Sequence, residues 1–189
     1  MRIIAGKLKG SLLNISNNKI TRPLKDVARE SIFNLLIHSN KISFQLENSN
    51  ILDLYAGTGS FGLECISRGA NSVYFIENDK SAFKILEKNI EKLKIKKKTK
   101  VYFSKVFDLI NSRNILLPKF DLIFCDPPFK KPNVVELIDL IFKKNLFKKN
   151  GIIILHRNKA AKDQFPSYFN VFDERIYGVS KIIFGQILF

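Results

Sequence analysis

A glycine loop set between an apolar strand and a helix narrows the fold more than any other feature: NILDLY at 50–55 runs into AGTGS, and a helical pattern follows over 60–69. Residues 57–62, GTGSFG, fit the spacing G-x-G-x-x-G, in which glycines permit a tight turn and let a ligand approach the backbone closely. The same rhythm then repeats. SVYFI (72–76) passes through ENDK to a helix over 80–93, a strand over 100–104 follows a lysine-rich turn, and FDLIFC (120–125) runs into DPPF. A helix over 133–144, a strand over 151–155 and two antiparallel strands within 171–189, turning at Tyr177–Gly178, complete the chain. Such alternation predicts an α/β fold: a doubly wound, mostly parallel sheet with a C-terminal antiparallel hairpin at one edge.

Ahead of this core, MRIIAGKLKGSLLNI alternates short apolar pieces with Gly6 and Gly10, the pattern of a small hairpin arm that carries Arg2, Lys7 and Lys9 toward a phosphate backbone. In TRPLKDVARESIFNLLIHS, Thr21 is a plausible cap and Val27, Ile32, Leu35 and Leu36 have helical spacing, so a helix is expected over 23–38. The division that follows is an arm and helix over 1–40 and a main domain over 41–189. With 189 residues, 46% hydrophobic and 17 Phe among them, the chain can fill a substantial core.

The formal charge is +15, from 32 Lys and Arg against 17 Asp and Glu. That excess attracts polyanions and makes binding salt-dependent, with RNA, DNA and anionic membrane all open. Lys, Asn and Ile are abundant along the whole chain, so part of the charge is compositional background, and KIKKKTK (94–100) reads as a solvated turn. Cys65 and Cys125 are too few and too far apart for a disulfide framework or a C-x-x-C metal site. His38 and His156 lack metal-ligand spacing, which predicts surface or packing roles and no metal. No signal segment opens the chain, and runs such as IIIL (152–155) fall short of a membrane span. A soluble, cytoplasmic protein in a reducing compartment is expected.

Two acids accompany the glycine loop. Asp53 lies at the end of its strand, where a carboxylate would disfavour a diphosphate but suit a cationic amino acid such as that of S-adenosylmethionine, with its ammonium and sulfonium. Glu77 ends the next strand, 20 residues beyond Gly57, where an acid can accept ribose hydroxyls from S-adenosylmethionine or from a dinucleotide alike. At the end of the fourth strand stand Asp126, Pro127, Pro128 and Phe129, in the crevice region where open parallel sheets bind ligands. Paired prolines fix the backbone and leave carbonyls free to accept. Asp126 and the Pro127 carbonyl could each take a hydrogen bond from an amino group on a base, holding its lone pair out of conjugation and aimed at a methyl sulfonium, so that catalysis is mostly positioning. Phe129 would stack on the base, worth about 1–3 kcal/mol, which requires that base to be looped out or flipped. Cys125 continues an apolar strand and reads as buried structure, against a nucleophilic mechanism.

Together these segments resemble the bacterial 16S ribosomal RNA guanine-N2 methyltransferases of the RsmD-like family: RIIAGKLKG its opening arm, TRPLKDVARESIFNLL its signature helix, LDLYAGTGSFGLECISRGA its cofactor motif, DPPF its catalytic loop and RIYGVSKIIF its closing hairpin. The resemblance implies a Rossmann-like class I fold with a small N-terminal hairpin and helix extension. It also implies S-adenosyl-L-methionine held by Arg22, Asp53, Tyr55, Ala56, Gly57, Gly59, Glu77, Asn78, Val106 and Asp126, with Arg22 closing the methionine end. Asp126, Pro127, Pro128 and Phe129 would hold the guanine, and Arg2, Lys7, Lys9, Arg22, Phe129 and Lys130 would contact RNA. The implied partner is 16S rRNA in a small-subunit (30S) particle or assembly intermediate, met by a monomer. Two positions depart from the family pattern: Ser104-Lys105-Val106 replaces an acid for the adenine amino group, and Leu155, followed by His156, replaces a Glu. A DNA adenine-N6 methyltransferase, a non-catalytic RNA-binding protein with a methyltransferase fold and a nicotinamide-dependent oxidoreductase remain as alternatives.

Overall fold

The computed structural model describes residues 1–15, 26–39, 42, 44–128 and 133–188. Its strands are β1 (Asn50–Leu54), β2 (Ser72–Glu77), β3 (Thr99–Phe103), β4 (Phe120–Cys125), β5 (Phe147–Asn158), β6 (Phe169–Tyr177) and β7 (Ser180–Ile187). The helices are α1 (Asp26–His38), α2 (Ser60–Ser67), α3 (Lys80–Lys92), α4 (Val106–Asn111) and α5 (Val134–Lys143). All seven strands join one sheet in the order β3-β2-β1-β4-β5-β7-β6. β1 to β5 run parallel, and β7 pairs antiparallel with both β5 and β6, which confirms the doubly wound sheet with its hairpin at one edge.

Period-two alternation along the strands divides the core into two layers. Ile51, Phe75, Phe124 and Ile154 face the helices α1, α2 and α3, while Leu52, Leu54, Ile123 and Leu155 face α4 and α5. In the first layer Phe61 of α2 stacks between Phe33 of α1 and Phe124 of β4, with ring centroids 5.2 and 3.9 Å away. Each such ring, fully buried, contributes roughly 1.5–3 kcal/mol by removal from water. The segment 1–40 feeds Ile3, Leu13, Ala28, Ile32, Phe33 and Leu36 into the same cluster.

The structure differs from the sequence expectation in two places. α4 was not foreseen: its six residues span too few turns to display a period, although Val106, Leu109 and Ile110 are buried. β5 starts at Phe147, which pairs with Phe120 before the register shifts ahead of Leu122, and Gly151 allows the close approach of the Phe120 carbonyl. The arm is the expected small hairpin: around the antiparallel bridge Arg2 to Leu12, the Leu13 N–H donates to the Met1 carbonyl (3.0 Å) and the Ile3 N–H to the Ser11 carbonyl (3.0 Å). It is anchored by side chains: both oxygens of the buried Glu64 accept from the backbone N–H of Ile4 (2.7 Å) and Ala5 (2.9 Å), and Arg29 donates to the Arg2 carbonyl (2.7 Å). Thr21, and residues 23–25 of the expected helix, lie outside the described residues.

Candidate active site

The strand order reverses between β1 and β4: the chain winds outward through β2 and β3 on one side and through β5 on the other. Ligands of open α/β sheets bind where such a reversal opens a crevice at the carboxyl ends of the strands. Here the crevice lies between the loop after β1 and the loop after β4. The two strands pair with Leu54 opposite Cys125, and the Asp126 N–H points to the Leu54 carbonyl at 3.4 Å. Adjacent strands lie roughly 5 Å apart, so the glycine loop and the Asp126-Pro127 loop leave the sheet side by side.

The glycine loop is shaped by its backbone. Tyr55 (φ 58°), Gly57 (φ 58°) and Gly59 (φ 86°) all adopt left-handed conformations. Tyr55 does so against the preference of a bulky residue, a feature that concentrates at functional sites. The turn closes through the Gly59 N–H to the Ala56 carbonyl (2.8 Å) and is tied to β2 through the Ala56 N–H to the Ile76 carbonyl (3.0 Å). A Cβ on Gly59 would fall 2.4 Å from Leu86, whereas one on Gly57 would meet nothing within 4 Å. Gly59 is thus favoured by its left-handed backbone, with the movable end of Leu86 close beside it, and Gly57 faces open space. Asn89, buried in α3, reaches across to donate to the Thr58 carbonyl (3.1 Å) and the Asn14 carbonyl (3.1 Å), so the arm and the loop share one brace.

Three carboxylates surround this loop. Asp53 is buried, and its Oδ2 accepts from the Gly62 N–H at 3.0 Å in the first turn of α2. Burial pushes its carboxyl well above the ordinary range, the Gly62 bond opposes that, and the charges of Asp126 and Glu77 raise it further. Glu77 accepts from Gly57 N–H through Oε2 (2.6 Å) and from Asn78 (2.8 Å) and Asp79 (2.7 Å) N–H through Oε1, so it joins the ends of β1 and β2. Asp126 presents Oδ1 to His156 Nδ1 at 2.7 Å, and His156 Nε2 lies 2.8 Å from Ser180 Oγ. Such a concentration of negative charge beside an open glycine cradle suits a cationic ligand and opposes a diphosphate. Those donors and acceptors therefore fit S-adenosylmethionine.

The remaining expected residues are distributed unevenly. Val106 is buried at the start of α4, and the Ser104 N–H bonds the Glu77 carbonyl (3.0 Å), so the β3–α4 junction adjoins the end of β2. Pro127 is buried and Pro128 exposed. Lys7 and Lys9 are not brought to the crevice: the Lys7 N–H bonds the Ser67 carbonyl (2.7 Å) at the far end of α2, about 12 Å along the helix from its start. Arg2 is exposed on the same arm. Arg22, Phe129 and Lys130 lie outside the described residues. Cys125 is fully buried, and burial raises its thiol far above the ordinary value, as suits a structural cysteine. His156 corrects the sequence reading. It is 4% exposed and bonded to Asp126, neither a surface residue nor mere packing. One signal for it was available, since His156 directly follows a buried apolar run whose carboxyl end lies beside that of β4, before Asp126; Ser180 carried none.

Sheet order, glycine cradle and carboxylate set together define a Rossmann-like class I S-adenosylmethionine-dependent methyltransferase. Comparison with known proteins narrows this to a family. The model of the family described as Conserved hypothetical protein 95 matches residues 1–186. Ribosomal RNA small subunit methyltransferase D of Haemophilus influenzae is 32% identical over 186 residues, covering 95% of this chain and 90% of that protein. The protein of the same name from Escherichia coli is 30% identical over 94% of this chain and 85% of its own length. The solved structure of HI0767 from Haemophilus influenzae superposes with a TM-score of 0.79 at 30% identity, covering 99% of this chain and 98% of that one. The chain belongs to this family, that of the RsmD-like methyltransferases. Among the described residues, no helix is long and apolar enough to cross a membrane.

Proposed function

We propose that this chain methylates the exocyclic N2 amino group of a guanine in 16S ribosomal RNA, acting as a monomer on a small-subunit particle or assembly intermediate. Relatives named ribosomal RNA small subunit methyltransferase D support the substrate. The observation that carries the chemistry is the adjacency of the two loops, with Asp126 next to the glycine cradle on neighbouring strands.

Bound there, S-adenosylmethionine supplies an electrophilic methyl group on a sulfonium. The chain's own part is to hold and orient. Asp53, Tyr55, Ala56, Gly57 and Gly59 form the cradle at the methionine end with Arg22 closing it, Glu77 and Asn78 meet the ribose, and Val106 lines the base. Asp126 and the Pro127 carbonyl accept the two N–H bonds of the guanine amino group, which holds the nitrogen lone pair out of conjugation with the ring. As the methyl group passes from the sulfonium, which would leave as a neutral thioether, the carboxylate of Asp126 would stabilise the positive charge developing on that nitrogen and accept the proton it sheds. Phe129 and Pro128 clamp the flipped base, and Lys130 with Arg2, Lys7 and Lys9 takes phosphates.

Substituting Asp126→Ala tests this assignment. Methyl transfer to unmodified small subunits should fall to background while calorimetric affinity for S-adenosylmethionine stays within about twofold, the signature of an interaction made with the acceptor and not the donor. Full turnover in the variant would refute the role.

A further inference from the structure

We infer that His156 is a positioning residue for Asp126: it donates from Nδ1 to one carboxylate oxygen, with Ser180 bonded to the ring's other nitrogen, so that the second oxygen is aimed at the acceptor nitrogen. The inference rests on the proposed role of Asp126 as the group that meets the substrate amine. Asp126 lies on a loop just past the end of β4, and without a second contact its side chain could rotate about two torsions. His156 supplies that contact from β5, the neighbouring strand, through Nδ1 to Oδ1 at 2.7 Å. A bond of this length to a carboxylate is in the charge-assisted range and stronger than a neutral one.

The proton assignment follows from chemistry. An ionised carboxylate only accepts, so Nδ1 must carry hydrogen; a neutral imidazole then has a bare Nε2 that needs a donor. Ser180 Oγ, 2.8 Å from Nε2, can be that donor. The bond made by one ring nitrogen decides the state of the other. His156 and Asp126 side chains are 6% and 24% exposed, so the ring is enclosed while part of the carboxylate stays accessible to a substrate. Ser180 opens β7, two residues past Gly178 (φ 62°) in the β6–β7 turn. The C-terminal hairpin thus reaches Asp126 by way of Ser180 and His156, which gives that hairpin a task beyond covering the sheet edge.

Asparagine and glutamine separate this role from a merely structural one, because the Asn amide reaches the Nδ1 position of histidine and the Gln amide reaches the Nε2 position. With unmodified small subunits, His156→Asn should keep kcat within a few-fold, while His156→Gln should lose on the order of 100-fold in kcat, the effect of a misplaced reacting group. Both should leave the KM for S-adenosylmethionine unchanged. Equal kcat in the Gln variant and the wild type would overturn the inference, as would equal losses in both variants. A second readout does not depend on the reaction. Two-bond proton–nitrogen correlation spectra of the labelled full chain should show Nδ1 of His156 protonated, and Ser180→Ala should perturb the Nε2 signal; a bare Nδ1 would overturn the inference. Failure of the wild type to methylate small subunits would instead sink the proposed function, and the ring nitrogens would still decide this one.

Discussion

Glu77→Gln changes no volume and removes one acceptor, so its consequences can be worked from the bonds alone. The two carboxylate oxygens take three backbone N–H groups, Oε2 that of Gly57 and Oε1 those of Asn78 and Asp79. A glutamine can keep the pair at Oε1, but its amide nitrogen then faces the Gly57 N–H donor to donor. The side chain is buried, 7% exposed, so water replaces the lost partner poorly. Leaving a buried N–H unpaired costs about 1–3 kcal/mol. For a domain of this size each kcal/mol shifts Tm by about 2–4 °C, which sets the expected drop at about 2–12 °C. On the proposed assignment of Glu77 to the cofactor ribose, the same change also removes an acceptor for its hydroxyls and disturbs the loop at Gly57, so affinity should weaken at least about tenfold, or 1.4 kcal/mol. Thermal melting with and without S-adenosylmethionine reads both effects. At a ligand concentration about 100 times the wild-type Kd the wild type gains about 2.7 kcal/mol, and a tenfold weaker variant gains about 1.4. A variant that melts with the wild type and gains equally from the ligand would refute the reasoning.

Asp53→Asn should act in opposite directions on stability and binding. Burial raises the Asp53 carboxyl, so its ionised form weakens the folded state as pH rises through that raised value. The neutral variant should therefore be more stable than the wild type at pH 7, by a margin that shrinks as pH falls, yet bind S-adenosylmethionine less tightly; denaturant midpoints across pH and calorimetry check the two halves. Gly6→Ala should release the arm, because its Cβ would sit 2.0 Å from the Ser67 carbonyl oxygen and the residue holds φ at +82°. The backbone alone costs about 1–2 kcal/mol, and limited proteolysis should cut the arm sooner than in the wild type.

Much of the fold is legible in the chain because buried parallel strands are written as continuous apolar runs, and NILDLY, SVYFI and FDLIFC are such runs with turns on either side. The helices α3 and α5 are long enough to show a period, and α4 is not. The start of β5 was hidden because Phe147 is separated from the apolar run at 152–155 by Lys148, Lys149, Asn150 and Gly151. At the site, the glycine loop, Asp53, Glu77 and Asp126 are spaced so that the strand order alone brings them to one crevice. What sequence spacing could not reveal is lateral contact between side chains from separate strands. The bond from His156 to Asp126 spans 30 residues and that to Ser180 another 24, and both depend on β5 lying between β4 and β7. Asn89 belongs with them: its place in α3 reads as an ordinary polar helix position until Asn14 and Thr58 are found against it.

In the proposed reaction the carboxylate beside the glycine cradle receives a guanine amino group of small-subunit RNA. Incubating the purified chain with methyl-labelled S-adenosylmethionine and unmodified 30S particles, then digesting the 16S rRNA and identifying the labelled nucleoside by mass spectrometry, measures this directly. Label should appear in N2-methylguanosine at a single position. Label in another nucleoside, or transfer to adenines of duplex DNA with the 30S rRNA left unlabelled, would contradict it.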